Sequence, residues 1–301
     1  MMNSLENINR PTLVVVAGPT AVGKTAFVIE LAKKYGTCIL SADSRQFYRE
    51  MKIGTAAPSE EELAAVPHYF VGHLSIADYY NVYKYEQDVL SVLPDLFKKN
   101  DIVLMTGGSG LYLDAACHGI DDLPDPDPQI RDYVNSLFKE FGLGVLREQL
   151  RERDPQFYET NDMANSKRMI RALEVCLQTG RPYSEHLVQI RRQRDFDILK
   201  FCLTRPREEL FARINARADK MMEQGWLEEA RELYPHRQLN ALNTVGYKEL
   251  FACFDGECSL EKAVEDIKTH TRRYAKRQMT WFKRDAEMSE IPMNDEHHIL
   301  L

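Results

Sequence analysis

Residues 18–25 read Gly18-Pro19-Thr20-Ala21-Val22-Gly23-Lys24-Thr25, the spelling G-x-x-x-x-G-K-[ST]. An apolar run at 13–17 precedes them, and a helical pattern through Ala26, Ile29, Leu31 and Ala32 follows. That is the strand–loop–helix setting of a phosphate-binding loop. Gly18 and Gly23 let the backbone wrap a polyphosphate with several N–H groups pointing inward, and the helix opening at Lys24 adds its positive end. Lys24 suits terminal phosphate oxygens, and the Thr25 hydroxyl suits a bound Mg²⁺. The whole stretch, Pro19, Thr20, Ala21 and Val22 included, is therefore expected to hold a diphosphate or triphosphate.

Alternation of apolar runs and helical patterns continues through 38–42, 84–99 and 101–105, which is the signature of a doubly wound parallel sheet. Ligands of such sheets gather at the carboxyl ends of the strands. The loop at 18–25, Asp43 and the run Gly107-Gly108-Ser109-Gly110 all follow strands and are expected to face one site. The pattern breaks at the acidic, proline-rich 121–128. Three helices are expected beyond it, at 129–141, 145–153 and 165–178, before a strand at 197–204. The expected organisation is a phosphate-loop α/β core from 10–121, a helical insertion at 122–194, a mostly helical second part of the core at 195–285 and a tail at 286–301.

No apolar run approaches the roughly 20 residues of a membrane helix. The first ten residues lack the apolar centre of a signal peptide. The six cysteines are scattered, with Cys253 and Cys258 the only close pair and no His-x-x-x-His beside them, so reduced thiols in the cytoplasm are expected. The net charge of −7 excludes a uniformly basic surface. Residues 165–194, however, hold seven Lys/Arg against two acids, and 267–284 hold seven against none. Such clustering on an acidic chain is the pattern of a localised polyanion site.

A guanine-reading Asn-Lys-x-Asp is absent, and the strand at 101–105 ends in Thr106 rather than an acid. Those features argue against a GTPase and a motor-type ATPase. Asp43 could serve as a metal-binding strand-end acid. A small-molecule kinase with an arginine-bearing lid also stays open, as does an RNA-binding module with an idle phosphate loop.

Further segments narrow the field. Gly-Pro-Thr-Ala-Val-Gly-Lys-Thr at 18–25 resembles the phosphate loop of the tRNA dimethylallyltransferase family. Asp43-Ser44-Arg45-Gln46-Phe47-Tyr48, Gly54-Thr55-Ala56-Ala57-Pro58 and Gly107-Gly108-Ser109-Gly110-Leu111-Tyr112 are similar to its next segments. So are Asn161-Asp162 with 167–175, Val245-Gly246-Tyr247, and Tyr274-Ala275-Lys276-Arg277-Gln278 with Trp281. The likeness runs in order from about residue 12 to 284. Ala57, Arg45 and Phe47 depart from the commoner family pattern, which bears on one phosphate contact and on the grip on neighbouring bases. The lack of a zinc-finger segment after Trp281 matches the bacterial form.

The resemblance implies transfer of a dimethylallyl group from dimethylallyl diphosphate to N6 of adenine 37, beside the anticodon, in tRNAs reading codons that begin with U. The close competitor is an adenylate isopentenyltransferase, which would have little use for the basic stretches. By resemblance Asp43 is the base, Arg217 bridges the diphosphate, Thr20 orients the region, and Thr25 carries Mg²⁺. Asp43, Ser44, Arg45 and Gln46 would line the entrance for a base taken out of its stack. Lys167, Arg168, Met169, Ile170 and Arg171 would meet the tRNA anticodon stem-loop, with Gly107 and Gln129 nearby. Lys268, Arg272 and Lys276 share one face of the last helix, and Ile267, Tyr274 and Trp281 a packing face. A monomer is the default expectation.

Overall fold

Strand β1 (Thr12–Ala17) is buried along its whole length, with alternate side chains turned to opposite faces of a sheet. Leu13, Val15 and Ala17 join one apolar cluster with Leu40, Tyr85, Val89, Val103 and Met105. Val14 and Val16 join another with Phe27, Leu31, Ile39, Leu104 and Phe201. A strand covered on both faces reads as an unbroken apolar run, which is why parallel sheets sit inside layers of helices.

The computed structural model describes residues 8–188 and 191–293. Its sheet has six strands in the order β3-β2-β4-β1-β5-β6, every pairing parallel. The strands are β1, β2 (Ile39–Ser41), β3 (His68–Tyr69), β4 (Ile102–Gly107), β5 (Asp197–Thr204) and β6 (Met288–Pro292). Helices α1 (Lys24–Tyr35), α2 (Glu60–Ala65), α3 (Val82–Phe97) and α4 (Gly110–His118) alternate with the first four strands. After β5 come α8 (Arg207–Glu223), α9 (Trp226–Leu233), α10 (Tyr247–Phe254) and α11 (Leu260–Phe282). The expected α/β class is the observed one.

Helices α2 and α4 and the short helix Pro155–Thr160 have no counterpart in the sequence pattern, and neither does β6. Met-Ser-Glu-Ile-Pro is too short and mixed to announce a strand. Its place comes from β5, along which it pairs from Lys200↔Met288 to Thr204↔Pro292. The remainder of the tail, 294–301, lies outside the described residues.

The described residues up to His118 and from Gln193 onward make one compact unit, and those within Gly119–Arg192 the other. The second is helical: α5 (Pro128–Arg153), broken at Gly142, then α6 (Pro155–Thr160) and α7 (Ser166–Thr179). Val134, Leu146, Leu150, Phe157, Met169, Leu173 and Val175 form its core. Buried Asp154 caps α6 through the Phe157 N–H (2.9 Å) and takes the Ser184 N–H and hydroxyl, each at 2.7 Å. Among the described residues no helix is long and apolar enough to cross a membrane.

Candidate active site

Strand register sets the site. Ala17 pairs with Gly107 and with Cys202, and Ser41 pairs with Thr106. The loops leaving β1, β4 and β2 therefore start at one level, bringing Gly18, Gly108 and Asp43 to the same end of the sheet. This is where doubly wound sheets place ligands.

The loop of residues 18–25 is a nest. Gly18, Ala21 and Gly23 have φ of 154°, 65° and 111°. The value at Gly23 suits glycine, whereas Ala21 is strained. Helix α1 opens with no side-chain cap and no acid in its first turn. Its first N–H groups thus lack the side-chain acceptors that Ser59, Asn81, Asp127, Asn165 and Ser259 give other helices. An uncapped helix start beside a positive-φ loop is an anion site.

Lys24 folds back over this loop, its Nζ donating to the carbonyls of Gly18 (3.0 Å) and Pro19 (2.9 Å). Burial lowers its ammonium to about 8; the Asp43 carboxylate opposes that shift and Arg217 adds to it. Burial also lowers Arg217, again against the pull of Asp43. Lys24, Arg217 and Asp43 therefore share one electrostatic site.

Three arginines hold three successive loop residues. Arg217 Nη2 donates to the Thr20 hydroxyl (2.6 Å), Arg213 Nε to the Ala21 carbonyl (3.0 Å) and Arg205 Nε to the Val22 carbonyl (2.9 Å). Arg213 thus supports the strained Ala21. Arg213 and Arg217 stand one turn apart on α8, and Arg205 lies just before it. Of the three, only Arg217 is expected from the sequence. The i, i+4 spacing of Arg213 and Arg217 was the signal for the second.

The segment after β2 is held by its own side chains. Asp43 Oδ1 accepts the Arg45 N–H (3.1 Å). The Ser44 N–H donates to Ser109 Oγ (3.1 Å), and the Ser109 hydroxyl donates to Ser44 Oγ (3.1 Å). Tyr274 bonds Ser109, and its phenol is raised to about 12, by burial first and then by the Asp43 carboxylate. Arg45 places Nη1 on the carbonyls of Asn240 (3.0 Å) and Ala241 (2.9 Å). Gln46 donates to the carbonyls of Thr55 (3.3 Å) and Ala56 (3.0 Å). Both side chains are thereby engaged in bracing turns. Phe47 is fully buried, stacked on Tyr85 at 5.3 Å, so its departure from the family pattern concerns packing rather than a base. Gly107 is glycine for space: a Cβ there would stand 2.4 Å from the Ala42 carbonyl oxygen.

In the helical unit Lys167 and Arg168 are exposed at the start of α7, and Gln129 is exposed near the start of α5. Ile170 is half-buried. Met169 is fully buried, so its side chain packs inside. Arg171 pairs with buried Glu174 (3.4 Å), which Arg131 also grips at 2.8 Å. The basic counts of the sequence are likewise partly spent within the fold. Arg194 is buried against Glu86 (2.9 Å), Lys268 pairs with Asp219 (2.6 Å), and Arg272 donates to Asn215 Oδ1 (2.6 Å). The expected polyanion face of α11 is therefore largely a seam with α8. Its packing face also differs from the expected Ile267, Tyr274, Trp281 line. Ala263, Ile267, Ala275, Gln278 and Phe282 are the buried positions, while Tyr274 and Trp281 are half-buried.

Two places bear on metals. The Thr25 hydroxyl and the Asp43 carboxylate are each hard oxygen donors, the kind of ligand Mg²⁺ takes. His118, Asp285 and Glu287 also bring three ligand atoms within 4.8 Å of one another. There the Lys200 ammonium already takes the cation's place, at 2.6, 2.8 and 2.8 Å from them. That cluster ties β5 to the segment leading into β6.

This geometry coincides with likeness to known proteins. A family model described as IPP transferase matches residues 46–285. The chain is 50% identical over 289 residues to tRNA dimethylallyltransferase 1 of Bacteroides fragilis strain YCH46, covering 96% of each chain. It is 52% identical over 275 residues to tRNA dimethylallyltransferase 2 of Porphyromonas gingivalis strain ATCC 33277, covering 91% of this chain and 92% of that one. The solved tRNA isopentenylpyrophosphate transferase of Bacillus halodurans matches with a TM-score of 0.68 and 33% identity, over 95% of this chain and 91% of that one. A eukaryotic dimethylallyltransferase solved acting on tRNA matches with a TM-score of 0.77 and 25% identity, over 94% of this chain and 74% of that one. The chain belongs to the tRNA dimethylallyltransferase family.

Proposed function

We propose that this chain transfers the dimethylallyl group of dimethylallyl diphosphate to N6 of adenine 37 in tRNA, releasing diphosphate. The observation that carries the reading is the joint placement of an uncapped anion nest, Lys24, Arg217 and the Asp43 carboxylate at one end of the sheet. In the reaction the N6–C1 bond forms as the C1–O bond to diphosphate breaks, and its electron pair leaves with the diphosphate. Lys24, Arg217 and the loop N–H groups stabilise that growing negative charge. The N6 proton passes to Asp43, which helps a weakly nucleophilic aromatic amine to attack. Mg²⁺ held through Thr25 would add charge neutralisation at the leaving group.

The acceptor must be extruded from its stack to reach this end of the sheet. Ser44, backed by Ser109, offers a hydroxyl beside Asp43. Arg45 and Gln46 serve by bracing the turns that shape the entrance, as does Gly107 by letting β4 approach Ala42. Lys167 and Arg168, with Gln129 and the backbone around Ile170, take anticodon stem-loop phosphates; such contacts position without reading sequence. Arg171 and Met169 hold that surface from within. The protein works as a monomer in the cytoplasm.

Incubation of unmodified tRNA with dimethylallyl diphosphate, followed by nuclease digestion and mass spectrometry, tests the reading. The expected product carries the isopentenyl group on adenine 37. Unmodified tRNA alongside prenylated AMP, or phosphate moved from ATP, would overturn it.

A further inference from the structure

Gln278 is a buried polar residue on the packing face of α11, between Ala275 and Phe282. A glutamine among such neighbours must satisfy both ends of its amide. Its Oε1 accepts the Thr20 N–H at 2.9 Å, and its Nε2 donates to the Gly108 carbonyl at 2.9 Å. One amide group thus joins the loop after β1 to the loop after β4. The contact leaves no spare room, since a Cβ on Gly108 would come within 2.2 Å of Nε2.

Each end of this bridge continues into the site. The Thr20 hydroxyl accepts from Arg217 at 2.6 Å. Gly108 is followed by Ser109, which exchanges hydrogen bonds with Ser44 beside Asp43. The path from the leaving-group arginine to the base segment therefore runs through a single side chain from the C-terminal helix. The bridge also commits the Thr20 N–H to protein, leaving the diphosphate to the later N–H groups of the loop.

We infer that Gln278 is a positioning residue that sets the distance between the diphosphate-holding loop and the Asp43 segment, an assignment that rests on the reading above. Glutamine is the only side chain of this length that accepts at one end and donates at the other. Glutamate would keep the bond to the Thr20 N–H but turn an oxygen toward the Gly108 carbonyl, and only its protonated form restores the donor.

The test compares wild type, Gln278→Ala and Gln278→Glu in single-turnover transfer to tRNA, with donor KM and Tm measured alongside. Misplacement of reacting groups by about an ångström costs on the order of 10²-fold. Gln278→Ala is therefore expected to lose roughly 10- to 100-fold in kcat per folded molecule, with donor KM changed by less than about threefold. Gln278→Glu is expected to regain rate relative to wild type as pH falls toward about 6, because a buried carboxyl with one oxygen facing the Gly108 carbonyl titrates high. Gln278→Ala should not. Wild-type kcat in both variants, a loss confined to KM, or Gln278→Glu tracking wild type at every pH would overturn the inference. Should wild type itself transfer nothing, the functional reading fails separately. The bridge is then judged by amide exchange at 18–22 and 107–110, which needs no acceptor. Faster exchange in both stretches of Gln278→Ala upholds it, and unchanged exchange overturns it.

Discussion

Arg217 places Nη2 2.6 Å from the Thr20 hydroxyl, so the loop that grips the leaving group is itself gripped from α8. With Arg213 on Ala21 and Arg205 on Val22, the cradle is pre-shaped before any ligand arrives. Preorganised donors stabilise charge without reorganising during the reaction, which is where much of the advantage of such sites originates.

Lys24 makes donor binding pH-dependent. Its ammonium titrates near 8 in the free protein. A bound diphosphate favours the charged form and lifts that value, so binding takes up a proton when the free lysine is neutral. Affinity for dimethylallyl diphosphate is expected to hold below pH 8 and to fall above it, by up to about tenfold per pH unit. Calorimetry in buffers of different ionisation heat reads both the affinity and the proton. An affinity flat from pH 7 to about pH 9.5 would contradict the role.

Lys167 and Arg168 are predicted to act on tRNA alone. Reversing both charges with Lys167→Glu and Arg168→Glu should weaken tRNA binding and flatten its dependence on log salt by roughly 0.7 to 0.9 per lost phosphate contact. Donor affinity and Tm should stay at wild-type values. A filter-binding salt series with an unchanged slope would place the phosphate contacts elsewhere.

Arg45→Ala should cost stability first. It removes the hydrogen bonds to the Asn240 and Ala241 carbonyls, about 1.5–3 kcal/mol for bonds from a charged donor. Chemical denaturation reads the loss. An unaltered midpoint with a raised KM for tRNA would instead make Arg45 a direct RNA contact.

Gly107→Ala should damage both fold and site. The added methyl meets the Ala42 carbonyl, which is backbone and cannot swing aside. Overpacking of this kind costs about 1–3 kcal/mol. Because Asp43 follows Ala42 directly, transfer per folded molecule should fall as well. A variant of wild-type stability and rate would show that β2 and β4 can part freely there.

The strands that face helices on both sides were legible because burial on two faces leaves an uninterrupted apolar run, as at 13–17 and 101–105. The phosphate loop was legible because its chemistry fixes glycine spacing. Charge was not, because a sequence does not show which cations have partners. Arg194 finds Glu86, Arg131 finds Glu174, and Lys268 finds Asp219, each brought near only by folding. Gln278 left one trace: a polar residue on the helix face that also carries Ile267, Ala275 and Phe282. Strand β6 left none, since its order comes from β5 and the Lys200 cluster.

The most direct measurement is single-turnover transfer of labelled dimethylallyl diphosphate to unmodified tRNA, with wild type beside Asp43→Ala. The account predicts label on adenine 37 and a loss of about 10²-fold or more in the variant, the size expected for removing a general base. Label carried to tRNA equally well by Asp43→Ala, or label found on AMP and never on tRNA, would contradict it.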